Sequence, residues 1–92
     1  MIYGLYCMRD ERTGFLTPVP EQNDRAAIRN FYHTVQNSDG ILYSFAADFR
    51  LYRLATFDSD SGMISPVSPV EFIASGSDAV AALNNKKEVH DA

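Results

Sequence analysis

The segment RLYRLATF-DSDSG-MIS, residues 50–65, sets the fold class of this chain. Residues 50–57 and 63–65 are rich in residue types that favour strands. Between them, the Asp that starts the loop can accept a hydrogen bond from its own turn, and Gly62 can adopt the positive φ needed at a hairpin exit. The segment predicts a β-hairpin whose second strand ends at Pro66 and Pro69, because proline cannot donate to a strand ladder.

A second segment with the same pattern lies 48 residues earlier. A strand-like run over 1–9 is followed by the loop DERTG at 10–14, and FLT at 15–17 returns as a strand that ends at Pro18 and Pro20. Both loops start with Asp and end with Gly. An internal duplication of a hairpin–helix unit explains the match, and so does the independent use of a common hairpin loop.

The sequence between the hairpins predicts a main helix over about residues 24–36. Asn23 or Asp24 is a good N-cap, and the segment NSDG at 37–40 ends the helix. Apolar residues recur at three- and four-residue spacing on one face, namely Ala27, Ile28, Phe31, Tyr32 and Val35. We expect residues 41–44 to form a short strand and residues 45–48 a turn or one helical turn.

These elements predict an α+β fold, in which two β-hairpins form a small antiparallel sheet packed against the main helix. A second short helix is predicted near residues 78–84, where Ser77 or Asp78 can cap it. Residues 1–84 form one domain in this prediction, and residues 85–92 are expected to be a flexible polar tail. The 92 residues, 46% of them apolar, leave room for a single core.

The composition argues against several classes of protein. The longest apolar run is far shorter than the roughly 20 residues that span a bilayer, and the N-terminal residues show no signal peptide. Cys7 is the single cysteine, so it supports neither a disulfide framework nor a cysteine zinc site. His33 and His90 lie apart, and Asp58 begins a loop that has Pro69 where a calcium loop needs Glu. We therefore expect no enzyme, no cofactor, no metal and no membrane partner.

The net charge of −4 is unevenly distributed along the chain. Residues 1–57 hold six Arg, no Lys, six acidic residues and ten of the eleven aromatic residues. Residues 58–92 hold two Lys and six acidic residues, so they carry the whole negative excess. The acidic balance argues against a simple polycationic nucleic-acid binder, but a gathered set of arginines can still bind a single strand.

The first 57 residues supply candidates for binding single-stranded nucleic acid, in which basic groups hold phosphates and aromatic rings stack with bases. The candidate nucleic-acid-binding residues are two pairs of arginines and one tyrosine: Arg25, Arg29, Arg50, Tyr52 and Arg53. Tyr3 or Tyr6 is a further candidate for stacking. Alternatively, the arginines lie on ordinary solvated surfaces and the aromatic residues fill the core.

Several segments occur in a characteristic order over about residues 1–70: RD at 9–10, TGFLTP at 13–18, NDRAAIRNF at 23–31, and LYRLATFD at 51–58 with Gly62. This ordered set resembles the small nonstructural protein of gokushoviruses, which are single-stranded-DNA phages of the Microviridae. Ala55 stands where that family often has Gly, and Ser61 stands where Thr is frequent. The C-terminal tail has no counterpart.

The resemblance implies a phage accessory protein that is made in the host bacterial cytoplasm and is not a virion component. It also implies a role at the stage when replication changes from duplex intermediates to single-stranded genomes for packaging. The resemblance gives no established active-site residues to assign to this chain. We expect a homo-oligomer that binds single-stranded DNA non-specifically during viral genome synthesis or packaging. The alternative is a non-enzymatic adaptor that recruits a phage replication or capsid protein, or a host factor. An exposed apolar patch and arginines paired with acidic residues would favour the adaptor.

Overall fold

The computed structural model describes residues 1–91, and the surroundings of side chains as far as Lys86. Five strands, β1 to β5, lie at Ile2–Asp10, Gly14–Phe15, Val19–Glu21, Phe49–Asp58 and Ile64–Ser75. Three α-helices, α1 to α3, lie at Asp24–Gln36, Ile41–Ser44 and Gly76–Asp91, and a 3-10 turn covers Ala46–Asp48. Within residues 1–91, no helix combines the length and the apolar character needed to cross a membrane.

The strands form one antiparallel sheet in which the two hairpins meet side by side. β1 and β4 are the central strands, and β5 lies outside β4. β2 and β3 pair one after the other with the outer edge of β1. The two long helices, α1 and α3, contribute to one core on a single face of this sheet. The arrangement confirms the predicted α+β fold.

The two hairpin loops have the same construction. Gly14 and Gly62 have φ angles of 103° and 77°, so both loops use the conformational freedom of glycine. Asp10 Oδ1 and Asp58 Oδ1 each accept a hydrogen bond at 2.9 Å from the amide two residues further along the chain. Each hairpin is followed by a long helix, and the two helices pack together. An internal duplication predicts this repeated order of hairpin and helix. That the two hairpin–helix units share a common origin stays a hypothesis.

Helix α1 has the bounds that its apolar spacing predicts. Asn23 is its N-cap, and the Asn23 side-chain oxygen accepts a hydrogen bond at 2.8 Å from the Ala26 amide. The face that carries Ala27, Phe31 and Val35 is buried. These side chains join residues of the sheet and of α3 in one buried core, made of Tyr6, Ala27, Phe31, Val35, Ala46, Leu51, Ala74 and Ala79.

Residues 41–44 form the helix α2, so the strand predicted there is wrong. The amides of Ser44 and Phe45 donate to the carbonyls of Gly40 and Ile41, which is helical bonding. Leu42 packs against the core from this turn. A run of four apolar or neutral residues fits either a strand or a helical turn, and tertiary packing decides between them.

Helix α3 is longer than the helix predicted near 78–84. It begins at Gly76 and continues to Asp91. Residues 77–91 contain neither Gly nor Pro, so nothing in their composition ends the helix early. The tail predicted at 85–92 is therefore helical as far as Asp91, and Ala92 lies outside the described residues.

The prolines do not end the returning strand of the second hairpin, whereas the returning strand of the first, β2, ends at Phe15, before Pro18. Pro20 lies within β3, and Pro66 and Pro69 lie within β5. Both strands are at edges of the sheet. A residue of an edge strand whose backbone amide would point away from the sheet makes no ladder hydrogen bond, so proline is tolerated there. The pairing of β4 with β5 also shifts register between Arg53 and Ala55, opposite the part of β5 that contains Pro69. Strand β5 therefore runs well beyond the end predicted for it.

Candidate nucleic-acid interface

The sheet has one face covered by helices and one face without them. Tyr6, Leu51 and Ala74 belong to the core that includes α1 and α3, and they identify the helix-covered face. Side chains alternate along each strand, so the register partners fix which residues share the other face. We call it the open face, and its paired positions hold Tyr3, Leu5, Cys7, Arg9, Phe15, Pro20, Arg50, Tyr52, Ala55, Phe57, Ile64, Pro66, Phe72 and Ser75.

Charged residues of the strands are segregated between the two faces. At its paired positions the open face carries Arg9 and Arg50 and no carboxylate. By the same alternation, Arg53 and all the carboxylates of the strands lie on the helix-covered side; these are Asp10, Glu21, Asp58 and Glu71. The strands therefore present positive charge on the open face, although the net charge of the chain is −4.

Arg9 and Arg50 are direct register partners on the central strands β1 and β4. Like charges in this position repel and destabilise a sheet. The Arg9 guanidinium carbon lies 5.8 Å from the centroid of the Phe15 ring, within the range of a cation–π interaction. Within residues 1–86, neither Arg9 nor Arg50 forms an ion pair with a carboxylate. Both guanidinium groups are therefore available to an external anion.

Three aromatic rings, which we call the aromatic row, lie across the open face beside the arginine pair. The ring centroids of Phe15 and Tyr52 are 5.6 Å apart, and those of Tyr52 and Phe72 are 6.0 Å apart. Phe15 is 46% exposed and Phe72 is 56% exposed. Cys7, the register partner of Tyr52, is buried, and burial raises the pKa of its thiol. The aromatic row thus offers ring surface to solvent directly beside two cations.

The structure brings together two of the five predicted nucleic-acid-binding residues. Arg50 and Tyr52 share the open face. Arg53, which is three residues from Arg50 along the strand, lies on the helix-covered face. Arg25 and Arg29 are exposed on α1, which packs on that same side of the sheet. The arginines of the first 57 residues therefore do not converge on one surface.

Arg53 and Tyr6 have partners inside the protein. Arg53 Nη2 donates a hydrogen bond to Glu71 Oε2 at 2.7 Å, and this bond raises the pKa of Arg53. Tyr6 is 1% exposed and its hydroxyl donates to the Asp24 carboxylate, so its ring is not available for stacking with a base. Burial, with that hydrogen bond, raises the pKa of the Tyr6 hydroxyl. Tyr3 is the one of the two further candidates that lies on the open face.

The prediction from sequence misses Arg9, Phe15 and Phe72 as site residues. Strand alternation alone places Arg9 on the same face as Cys7, but the partner strand and register are needed to bring it opposite Arg50. Phe72 lies beyond the prolines of β5, where the sequence predicts no strand. Its position beside Tyr52 follows only from the structure.

Comparison with known proteins gives a family. Neither a curated protein nor a solved structure matches the chain significantly. A family model described as Phage ORF5 protein matches residues 3–79. That region contains every paired position of the open face, from Tyr3 to Ser75. Because the match covers most of the chain, the protein belongs to the phage ORF5 protein family.

Proposed function

We propose that this phage protein binds single-stranded DNA on the open face, without sequence preference and without catalysing a reaction. The observation that supports the proposal is the aromatic row of Phe15, Tyr52 and Phe72 beside the pair of Arg9 and Arg50. Aromatic rings stack with unpaired bases of any sequence, and arginines bind the phosphates that connect those bases. Both kinds of group occur here on one continuous surface.

The form of this surface favours a single strand over a duplex. In a duplex the faces of the bases are stacked on one another, and proteins reach the base edges with a helix or a ribbon inserted in a groove. Rings that lie across a sheet need bases that are unstacked and splayed out, as in the sheet modules that bind single-stranded RNA. The strand carboxylates lie on the other face, so the repulsion of DNA expected from the net charge is weakest at this surface.

We also propose that binding serves viral genome synthesis or packaging in the host bacterial cytoplasm, and that the protein is not a virion component. The phage family and the resemblance to gokushovirus nonstructural proteins support this setting, since those phages have single-stranded DNA genomes. Self-association is part of the proposal. Several linked copies on one DNA strand would bind more tightly than one small domain, because each further contact is intramolecular.

An adaptor is the second candidate function, and a separate surface favours it. Ile41, Tyr43 and Phe45 are all exposed around α2. Arg12 pairs with Asp48 at 3.9 Å, so some arginines are engaged by carboxylates, as the adaptor hypothesis expects. An exposed apolar cluster of this kind suits a protein partner, such as a phage replication or capsid protein or a host factor.

Fluorescence anisotropy of a labelled oligothymidylate at low salt tests the proposed function. We expect saturable binding by the full chain, and this binding should weaken as salt rises because phosphate contacts release counterions. A hairpin duplex of similar length should bind less tightly. As a control, Phe45→Ala in the α2 cluster should leave the affinity unchanged. If the oligonucleotide shows no binding at the highest soluble protein concentration, the proposal fails and the adaptor becomes the better hypothesis.

A further inference from the structure

We infer that one protomer holds about three successive nucleotides, with one base on each ring of the aromatic row and the two linking phosphates on Arg9 and Arg50. This inference rests on the proposed function and specifies the ligand of the same site. It follows from the number of rings and arginines in the site, from the spacing of the rings, and from the residue types at the neighbouring positions of the open face.

The spacing of the rings fits one base on each. The row has three rings, at centroid separations of 5.6 Å and 6.0 Å. Each neighbouring pair is edge-to-face, with interplanar angles of 68° and 74°, so one ring covers only part of the face of the other, and the outer rings Phe15 and Phe72 remain 46% and 56% exposed. Sheet modules that bind single strands stack about two or three bases on such rings. Three bases in succession are joined by two phosphates.

The arginine pair supplies one cation for each of those phosphates. Arg9 and Arg50 face each other across β1 and β4, and Tyr52 follows Arg50 by two residues on the same face. The Arg9 guanidinium carbon lies over one face of Phe15, the first ring of the row, at 5.8 Å from the ring centroid, and Phe15 remains 46% exposed. An arginine presents a planar fork that matches two phosphate oxygens. One phosphate on each arginine also offsets the repulsion between the two like charges of the pair.

The composition of the neighbouring positions limits the length of the site. The next paired positions along the open face are Leu5, Ala55 and Pro66, which offer neither a ring nor a charge. Across the sheet, the row reaches the outer strands β2 and β5 on its two sides. The arginines on α1 belong to the opposite side of the molecule. The rings of Tyr3 and Phe57 lie on the far side of these apolar positions. A DNA strand that follows the aromatic row across the sheet does not reach them, so a longer strand gains no further strong contact on the same protomer.

Oligothymidylates of increasing length, from about two to ten nucleotides, test this footprint by anisotropy. We expect the affinity of the full chain to rise steeply up to about three nucleotides and to increase little beyond that. For single strands, the slope of log K against log salt concentration is about −0.7 for each phosphate contact, so two contacts predict a slope of about −1.4. Arg9→Ala or Arg50→Ala should each reduce the slope to about −0.7.

The double variant Arg25→Ala/Arg29→Ala is the matched control, and its slope should equal that of the unchanged protein. Circular dichroism melts show whether each variant is folded. An affinity that keeps rising well beyond three nucleotides, or a slope that is steeper and falls in the control variant, overturns the footprint while leaving DNA binding in place. No binding at any length overturns the proposed function itself.

Discussion

Arg9 and Arg50 stand directly opposite each other on adjacent central strands, on a sheet face whose paired positions hold no carboxylate. A sheet selected for stability alone gains from opposite charges at such a pair and loses from like charges. We therefore interpret the arginine pair as a binding feature that slightly lowers the stability of the sheet. It lies beside the aromatic row, and this juxtaposition leads to the predictions that follow.

Reversing one charge of the pair should increase stability and remove DNA binding. Arg50→Glu places a carboxylate opposite Arg9, and a cross-strand pair of opposite charges stabilises a sheet by about 0.2–1 kcal/mol. The urea midpoint should rise slightly, while anisotropy should show no binding. Arg29→Glu on α1 makes the same change in net charge, and we expect it to reduce the affinity only slightly. Equal losses in the two variants would mean that net charge, and not the open face, controls binding.

Removal of one exposed ring should weaken binding with little effect on folding. Phe72 is 56% exposed, so Phe72→Ala removes little buried area. Stacking of a base on an aromatic ring contributes about 1–3 kcal/mol, which corresponds to a loss of roughly 5- to 150-fold in affinity. Phe72→Tyr, which keeps the ring, should bind like the unchanged protein. A Phe72→Ala variant with full affinity and a normal melting temperature would exclude this ring from the site.

Gly76 should be intolerant of a side chain because α3 begins against the 3-10 turn. A Cβ at this position would overlap the backbone of Ala46, whereas a Cβ at Gly40 would meet only the Ser38 hydroxyl at 4.0 Å. Gly76→Ala should therefore lower the free energy of unfolding by about 1–3 kcal/mol, the range for overpacked cores. Urea denaturation of Gly76→Ala beside Gly40→Ala checks this. Similar midpoints for the two variants would show that the contact of α3 with this turn is unimportant.

Stability should fall at alkaline pH. Burial raises the pKa of the Tyr6 hydroxyl above its ordinary value of 10.0 and the pKa of the Cys7 thiol above 9.0. The unfolded chain therefore releases these protons at lower pH than the folded chain does. The stabilisation is complete below pH 9 and is lost as the pH rises from there towards the pKa values of the folded state.

The urea midpoint, measured between neutral pH and about pH 11, should show this decline. Tyr6→Phe keeps the ring in the core and removes the ionisable group, so its midpoint should decline less steeply over the same range. Tyr32, whose pKa is also raised by burial, maintains part of the decline in that variant. A midpoint that stays constant from neutral to alkaline pH would show that these groups titrate alike in both states.

Local patterns in the sequence predict much of the fold. The spacing of Ala27, Phe31 and Val35 predicts α1 with its observed bounds, and the Asp and Gly residues of the two loops predict both hairpins. What local patterns do not contain is the position of an element within the sheet. The prolines end a strand only if it is central, and β5 is at an edge.

The site is less predictable than the fold because it depends on register. The residue types of Arg50 and Tyr52 are enough to predict them as binding candidates. Alternation along the strand is enough to place Arg53 on the opposite face of the sheet from them. The approach of Arg9 to Arg50, and of Phe15 and Phe72 to Tyr52, depends on how three pairs of strands align over long separations in sequence. Because the register between β4 and β5 shifts, the partner of Tyr52 on β5 cannot be found by counting residues back from the hairpin loop.

A titration of the isotope-labelled protein with an oligothymidylate, followed by backbone amide NMR spectra, tests most directly which surface binds DNA. If the open face is the binding surface, the largest shifts belong to the amides of Arg9, Phe15, Arg50, Tyr52 and Phe72. The amides around Arg25 and Arg29 then remain in place. Shifts concentrated on α1, or no shifts at saturating oligonucleotide, would contradict binding on the open face.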